Sequence, residues 1–511
     1  MIDHRELRIG VIAFVEDPHQ EGPSAMEKIA QDIADHSLVS SNLVFANSRQ
    51  VVEWQSRRLH QIAVERQLPY DPFFSHHGSL SKEVREHTEK TLKSGKPVTV
   101  PATSSLELGI DVGTVGRVSQ IDPPSTVGSL QQRKGRCGRR EGDPSVLRLY
   151  TRDYLPIRGT TLTSLLYPNL LRGHAMIQLL LDGKFEPASK PKLHLSTLVH
   201  QTLSCVRQWG ALTPERLYHI LCEAGPFRNI CPDLYVDLLR SLKASGLIVQ
   251  DSDDGIVLGE KGDQITSKYD FYAAFVSSED YTVRHNEHTI GLLPSDELHK
   301  CSRHIILNGR TWLILAIRHK EKTIEVAPSK AGTVPTFGGD AGDVHRIVHQ
   351  RMQKALIESA VPDYLNPDAV RLLESARATA RAAELTQRSV LVTDQVLMWF
   401  PWAGTRALRT LRLFAQLEKL ESEDEGVSLT YKGVTKDRLM AHLQRLVSGD
   451  VDSTALAALM EQKHFQKFDR FLDEKLLDRA NGNDRLDLET AQEAAEEALK
   501  ELKGHYSLTS S

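Results

Sequence analysis

The chain has 511 residues, with 63 Lys and Arg against 67 Asp and Glu and a formal net charge of −4 at pH 7. That length exceeds what one hydrophobic core supports and predicts roughly three or four domains. The near-neutral balance excludes a histone-like polycation but leaves room for a local basic groove, and 40% apolar with 25% charged residues reads as a soluble globular protein.

No stretch approaches the roughly 20 apolar residues of a membrane span, so no membrane partner is expected. The N-terminus opens on charged residues without a signal-peptide core. The five cysteines, Cys137, Cys205, Cys222, Cys231 and Cys301, are odd in number and form no Cys-x-x-Cys pair. A reduced, cytoplasmic protein is therefore expected.

Residues 7–14 predict a strand, and a helix over 25–34 follows a polar, turn-rich piece. The apolar run 42–46 predicts a strand ending in Asn47, Ser48 and Arg49. Val51, Val52, Trp54, Leu59, Ile62 and Ala63 then recur at helical spacing to about residue 68. Ser81 is a candidate N-cap for a helix to residue 92. Further strands are predicted at 98–102, 115–120 and 146–150. Strand and helix alternate with short connections, which predicts a doubly wound, mostly parallel α/β domain over 1–155.

Two stretches in this domain carry chemistry. The strand at 98–102 runs into small hydroxyl residues and then Gly109, Ile110 and Asp111. That is a loop at the carboxyl end of a strand, where open α/β sheets bind ligands. Pro101 removes a ladder donor, which is unusual in a central strand, and is expected to bend the strand and shift Thr103. Residues 131–140 put five cationic side chains into ten residues, with Gly135 and Gly138 three apart. Glycine permits close backbone approach, and guanidinium forks suit phosphate oxygens. A solvated helix face is the ordinary explanation of a basic decamer; its pairing with the upstream stretch overturns that explanation here.

Ala102, Thr103, Gly109, Ile110 and Asp111, followed about twenty residues later by Gln132, Arg133, Gly135, Arg136, Gly138 and Arg139, resemble motifs V and VI of superfamily 2 helicases. Residues 44–49 and 76–81 resemble motif IV and the segment after it. Together with 104–111 they are similar to the large helicase-related (Lhr) family. The likeness runs from near residue 1 to roughly 470 and is looser beyond about 350. It implies that 1–155 is a second RecA-like domain. Arg136 and Arg139 are then candidate catalytic arginine fingers, neutralising charge on a transferring phosphoryl group. Gln132 and Arg133 support the same nucleotide cleft. Gly109 and Asp111 line its nucleotide side, with a capping role the alternative for Asp111. Thr103, Ser104 and Arg49 are candidates for nucleic-acid phosphates. Trp312 is a candidate for stacking on a base of a single strand, with core packing an equal alternative.

Residues 156–192 read as a linker, with a helix at 171–181 and a Pro/Lys-rich joint at 186–192. Helical spacing at 195–209, Pro214 in a first helical position after Thr213, a helix at 232–245 and short strands at 246–249 and 255–258 make a winged-helix plan over 193–267. Short alternating segments at 281–284, 289–292, 311–315 and 323–326 predict a small β-barrel over 268–343. Residues 344–511 are expected to form a helical C-terminal domain, with Trp399 and Trp402 in its core. His345 and His349 lie four apart, but no third ligand with fitting spacing accompanies them, so an ordinary helix face and no metal site is expected.

An ATP-driven helicase also needs Gly-x-x-x-x-Gly-Lys-Ser/Thr and an acidic Walker B segment for magnesium. Gly95-Lys96 runs into Pro97, and the acidic pair Asp296-Glu297 lies among the barrel strands. The first RecA-like domain is therefore expected to lie outside this chain. ATP and Mg2+ are then expected only with a separate chain carrying that domain, and single-stranded DNA or RNA is the other expected partner. The chain is accordingly half of a split helicase, a truncated product, or a nucleic-acid-binding scaffold without catalysis. Arg136, Arg139 and Asp111 favour an enzyme; the missing phosphate loop favours a binder.

Overall fold

Near-continuous apolar runs such as Leu43, Val44 and Phe45, all fully buried, mark strands covered on both faces. In the computed structural model they build a parallel sheet. The structure describes residues 7–17, 22–108, 111–113, 115–138, 144–157, 159–188, 190–251, 254–275, 280–286, 288–294, 298, 303–329, 342–392 and 396–504. The chain divides into two compact units, Met1–Glu186 with Ser278–Arg388, and Pro187–Ser277 with Ser389–Ser511.

The first unit opens with β1 (Leu7–Glu16), α1 (Ala25–Ala34), β2 (Asn42–Ala46), α2 (Arg49–Glu65), α3 (Lys82–Lys93), β3 (Thr99–Ala102), β4 (Arg117–Ile121), α4 (Val127–Lys134) and β5 (Ser145–Tyr154). The strand order is β1-β5-β4-β2-β3, parallel throughout. Side chains of Ser24, Ser48, Ser81 and Thr126 accept from backbone amides at the starts of α1 to α4, which satisfies donors a helix cannot pair internally. Ile29, Val44, Val52, Leu59, Ile62, Ile121 and Tyr150 meet in the core on one face of the sheet.

β3 is an outermost strand, which explains Pro101. Residues 72–76 lie along its far side: Thr99 N donates to Pro72 O (2.9 Å), and Phe74 N and His76 N donate to the carbonyls of Thr99 (3.2 Å) and Pro101 (3.0 Å). The missing donor of Pro101 falls on that irregular side. Pairing with β2 runs unbroken from Asn42↔Thr99 to Phe45↔Ala102, so the expected bend is not seen. At the other edge, β1 is covered by residues 364–366. Val11 N donates to Tyr364 O (2.8 Å) and Asn366 N donates to Val11 O (3.0 Å).

After β5 come α5 (Leu162–Leu165) and α6 (Pro168–Leu181). The second unit begins with α7 (Leu195–Trp209), α8 (Pro214–Tyr218), a π-helical turn at His219–Glu223, α9 (Pro232–Ala244), the antiparallel pair β6 (Ile248–Gln250) and β7 (Ile256–Leu258), and α10 (Glu260–Thr266). Its core takes in Phe468, Leu472, Leu476 and Leu477 from much later in the chain.

The first unit resumes with β8 (Asp280–His285), β9 (His288–Pro294), β10 (His304–Leu307), β11 (Arg310–Arg318) and β12 (Thr323–Pro328), in the order β10-β11-β12-β8-β9. It ends on α11 (Arg346–Ile357) and α12 (Pro367–Ala382). His345 caps α11, its Nδ1 accepting from Ile347 N (3.3 Å), while His349 is buried at 2% exposure.

The last part departs from the helical expectation. β13 (Val390–Val392), β14 (Val396–Trp399), β15 (Ser422–Asp424) and β16 (Leu429–Lys432) form an antiparallel sheet in the order β13-β14-β16-β15. It packs with α13 (Thr405–Leu417), α14 (Lys436–Val447), α15 (Ser453–Ala457) and α17 (Leu488–Leu502), whereas α16 (Glu474–Arg485) contributes Leu476 and Leu477 to the other core. Trp399 and Trp402 are buried at 0% and 4% exposure. The strands here are only three or four residues long, too short for periodicity to separate them from loops. No helix among the described residues is long and apolar enough to cross a membrane.

Candidate nucleotide and strand-binding site

β3 and β4 end on the same side of the sheet, because all its strands run parallel. After β3 the chain makes a short 3-10 turn, Ser104–Leu106, which places Glu107 under α4. α4 starts from its Thr126 cap and ends at Gly135, delivering Arg133 and Arg136 to Glu107.

Both arginines reach that one residue. Arg133 Nε donates to Glu107 Oε2 at 2.9 Å, with Nη2 2.8 Å from the same oxygen. Its Nη1 donates to Gln120 Oε1, and its guanidinium lies 5.2 Å from the centroid of the Phe45 ring. Arg136 instead takes the backbone, donating from Nε (2.9 Å) and Nη2 (2.6 Å) to the Glu107 carbonyl. Arg133, Arg136 and Glu107 are 5%, 7% and 7% exposed. Burial pushes the Arg133 guanidinium below its ordinary value, with Glu107 acting against that shift; arginine remains charged all the same. This stretch holds the two candidate fingers. Arg136 is seated inside, clamping the loop after β3 to the end of α4, and Arg139 lies outside the described residues.

Gly138 turns the chain out of this corner with φ +65°; a Cβ there would lie 3.1 Å from the Ser145 backbone and closer still to its hydroxyl. Only glycine fits without displacing β5.

A second set of contacts braces the loop from the other side. Thr103 N and Ser105 Oγ both donate to the His76 carbonyl, at 3.3 and 3.2 Å. The His76 ring lies 2.9 Å from Ser105 Oγ through Nδ1 and 3.1 Å from Glu89 through Nε2. Burial pushes the His76 imidazole below its ordinary range, and Glu89 opposes this. His77 Nε2 donates to Glu53 at 2.6 Å, and Glu53 also accepts from the amides of Asn308 (2.8 Å) and Gly309 (2.6 Å), the turn between β10 and β11. Glu53 is held below the usual carboxylate range. Burial alone would raise it, but the His77 contact and the two amides outweigh burial. Arg49 donates to Ser79 Oγ in the same segment.

Arg49 and Thr103 thus both bond within residues 76–79, and Ser104, next in the chain after Thr103, is exposed. Asp111 is exposed, accepts from Gly113 N (3.1 Å) and faces Lys93 Nζ at 3.5 Å. Gln132 is exposed on α4. Gly109 lies outside the described residues. Trp312 is not at a surface: it is 5% exposed, packs with Leu80, Val283 and Ile324, and its indole N–H donates to Leu307 O at 2.9 Å. Of its two readings the structure takes core packing, because a ring buried on both faces cannot receive a base. Glu107, Gln120, Glu53 and His77 were not among the sequence candidates. Glu107 had a visible signal, one acidic residue inside the small-residue loop opposite a basic helix. Glu53, on an otherwise ordinary amphipathic helix, had none.

The helicase conserved C-terminal domain family matches residues 25–141. The chain is 27% identical over 370 residues to the Lhr helicase/probable uracil glycosylase of Mycolicibacterium smegmatis, covering 62% of this chain and 23% of that protein. It is 26% identical over 346 residues to the Lhr helicase/uracil glycosylase of Escherichia coli, covering 59% and 22%. The structure of Mycobacterium smegmatis helicase Lhr bound to ssDNA and AMP-PNP is similar in fold, with a TM-score of 0.56 and 19% identity over 98% of this chain and 64% of that one. The matched region is therefore under a quarter of the length of these two curated relatives. The chain carries a helicase C-terminal domain, has Lhr-family relatives over more than half its length, and has a mixed α/β, helicase-like fold with a parallel sheet.

Proposed function

We propose that this chain supplies the second RecA-like domain and the strand-binding domains of an Lhr-like, ATP-dependent nucleic-acid translocase. The observation that carries the reading is the double clamp on Glu107, which presets the loop after β3 against the basic end of α4 within the helicase-matched region. In this reading 1–155 is the RecA-like domain, 156–192 a linker, 193–267 a winged helix, and the strands within 268–343 a small barrel. Arg49, Thr103 and Ser104 hold phosphates of single-stranded DNA or RNA. Gly109, Asp111, Gln132 and Arg133 line or support the nucleotide side, and Arg136 and Arg139 act on the transferring phosphoryl group.

A phosphate loop and a Walker B acid hold ATP and Mg2+ in such enzymes. In this reading the chain's part is to complete a site whose nucleotide sits on a first RecA-like domain, here assigned to a separate chain. Arg136 then has to leave the Glu107 carbonyl as the two domains close. A second reading, a strand-binding scaffold without catalysis, is favoured by that same inward seat of Arg136.

One assay separates them. ATP hydrolysis is measured for the chain alone and with a matching first RecA-like domain, each with single-stranded DNA. The chain alone is expected to bind the strand and hydrolyse nothing. The pair is expected to hydrolyse ATP, and Arg136→Ala to slow it about a thousandfold. Strand binding without hydrolysis in the pair supports the scaffold, and hydrolysis by the chain alone removes the need for a partner.

A further inference from the structure

A set of aromatic rings in the second unit is held out in water by a turn that is itself firmly anchored. After α10 the chain makes the 3-10 turn Tyr269–Tyr272. Tyr269, Tyr272 and nearby Phe275 are 90%, 81% and 70% exposed. Phe271, between the two tyrosines, is 7% exposed; its ring lies 4.6 Å from that of His200 and 6.1 Å from that of Phe468. Its carbonyl is 2.9 Å from His200 Nε2. Lys467 Nζ ties down both flanks, 2.9 Å from the Asp270 carboxylate and 2.9 Å from the Ala273 carbonyl. A turn fixed at Phe271, Asp270 and Ala273 presents its tyrosines in a set direction.

Their arrangement suits one kind of visitor. The two rings are 5.9 Å apart between centroids and tilted by 57°, so they do not cover each other face to face. Lys467 answers the turn's own negative charge at Asp270. Lys268 beside it is exposed and makes no ion pair among the described residues. Exposed aromatic faces next to an unanswered cation match a polyanion that carries flat bases, because stacking takes any base and the ammonium takes the phosphate.

We propose that Tyr269 and Tyr272 form a base-stacking platform for single-stranded nucleic acid, with Lys268 against its backbone. The proposal rests on the strand-binding reading above and adds to it a contact site in the second unit, separate from Arg49, Thr103 and Ser104.

The test is a binding titration of the full chain with fluorescently labelled oligothymidine. The Tyr269→Ala/Tyr272→Ala double variant is expected to bind about 5- to 100-fold more weakly, while Tyr269→Phe/Tyr272→Phe stays within about twofold of the parent, since stacking needs the ring and not the hydroxyl. Thermal unfolding of all three proteins is expected to coincide, because both side chains are solvent-exposed. If the parent binds and the double alanine variant binds equally well, the platform is wrong and the strand-binding reading survives. If the phenylalanine variant loses as much as the alanine one, stacking is wrong. If the parent binds no strand at all, both readings fall. If the parent self-associates in sedimentation and the alanine variant does not, the face is a protein interface and the proposal is overturned.

Discussion

Glu107 and Glu53 are both buried carboxylates in the first unit, 7% and 5% exposed, yet they are held in opposite ways. Glu107 faces a guanidinium on its carboxylate and another on its carbonyl. Glu53 faces one imidazole and two peptide amides. The first arrangement relies on side chains of permanent charge, and it ties together two segments of the same α/β domain. The second adds to the His77 imidazole two backbone donors, which side-chain changes short of proline leave in place, and it ties that domain to the turn between β10 and β11. A loop that has to rearrange around a nucleotide is better governed by side chains, which can change partners. A joint between two sheets is better governed by the backbone, which cannot.

The contrast can be broken most directly at Glu53. Glu53→Ala leaves two buried amides and the His77 N–H without an acceptor and is expected to destabilise the first unit by about 3–5 kcal/mol, measured by denaturant unfolding. A loss no greater than that of an exposed substitution would mean that the joint does not depend on this carboxylate. Glu53→Gln keeps one acceptor and should cost clearly less.

A somewhat smaller effect concerns pH. His174 and His349, also in the first unit, are pushed down to about 4 by burial and by nearby arginines, with His345 also acting on His349. Both are neutral in the folded state, whereas the unfolded chain takes up protons near 6.5. The stability they contribute is complete above pH 6.5 and is lost as pH falls toward 4, by at most about 3 kcal/mol for each histidine. Glu53, whose value is lowered, contributes stability that persists above the ordinary glutamate range and is lost only below it. Unfolding measured between pH 6.5 and 5 should therefore slope in the parent, slope less steeply in His349→Leu, where His174 still contributes, and keep the parent's slope in Glu53→Gln. A Glu53→Gln variant that flattened this window would show that Glu53 and the histidines are coupled.

The smallest effect sharpens the other half of the comparison. Arg133→Lys keeps the charge beside Glu107 but cannot also reach Gln120 with a planar fork, and is expected to cost roughly 1–2 kcal/mol. If lysine served as well as arginine, charge alone would explain the clamp.

How much of this was legible follows from range. The parallel sheet was readable because its strands are buried on both faces and spell apolar runs. The loop after β3 and the end of α4 were readable because their chemistry is local and dense. The roles inside that site were not, since whether Arg136 points out or in depends on the Glu107 carbonyl, and a carbonyl leaves no mark in a sequence. The contact of Glu53 with Asn308 joins residues 255 apart, which no local pattern reports. Trp312 sits on a strand whose alternation places it on one face without saying whether that face is wet. The strands between 390 and 432 were missed because each is only three or four residues long.

The cover over β1 has a consequence for how the protein comes into being. The donor and acceptor that close this strand's outer edge belong to residues 364–366, and Asn366 reaches Ala13 across 353 residues of chain. At ribosomal speeds of about 5–20 residues per second, β1 is made on the order of tens of seconds before its cover. For that interval a ten-residue strand offers a row of unsatisfied peptide groups to any neighbouring chain. The first sheet is therefore a structure on loan until α12 arrives. A fragment ending after α6 should aggregate or require a chaperone, and supplying residues 342–388 as a separate peptide should rescue it.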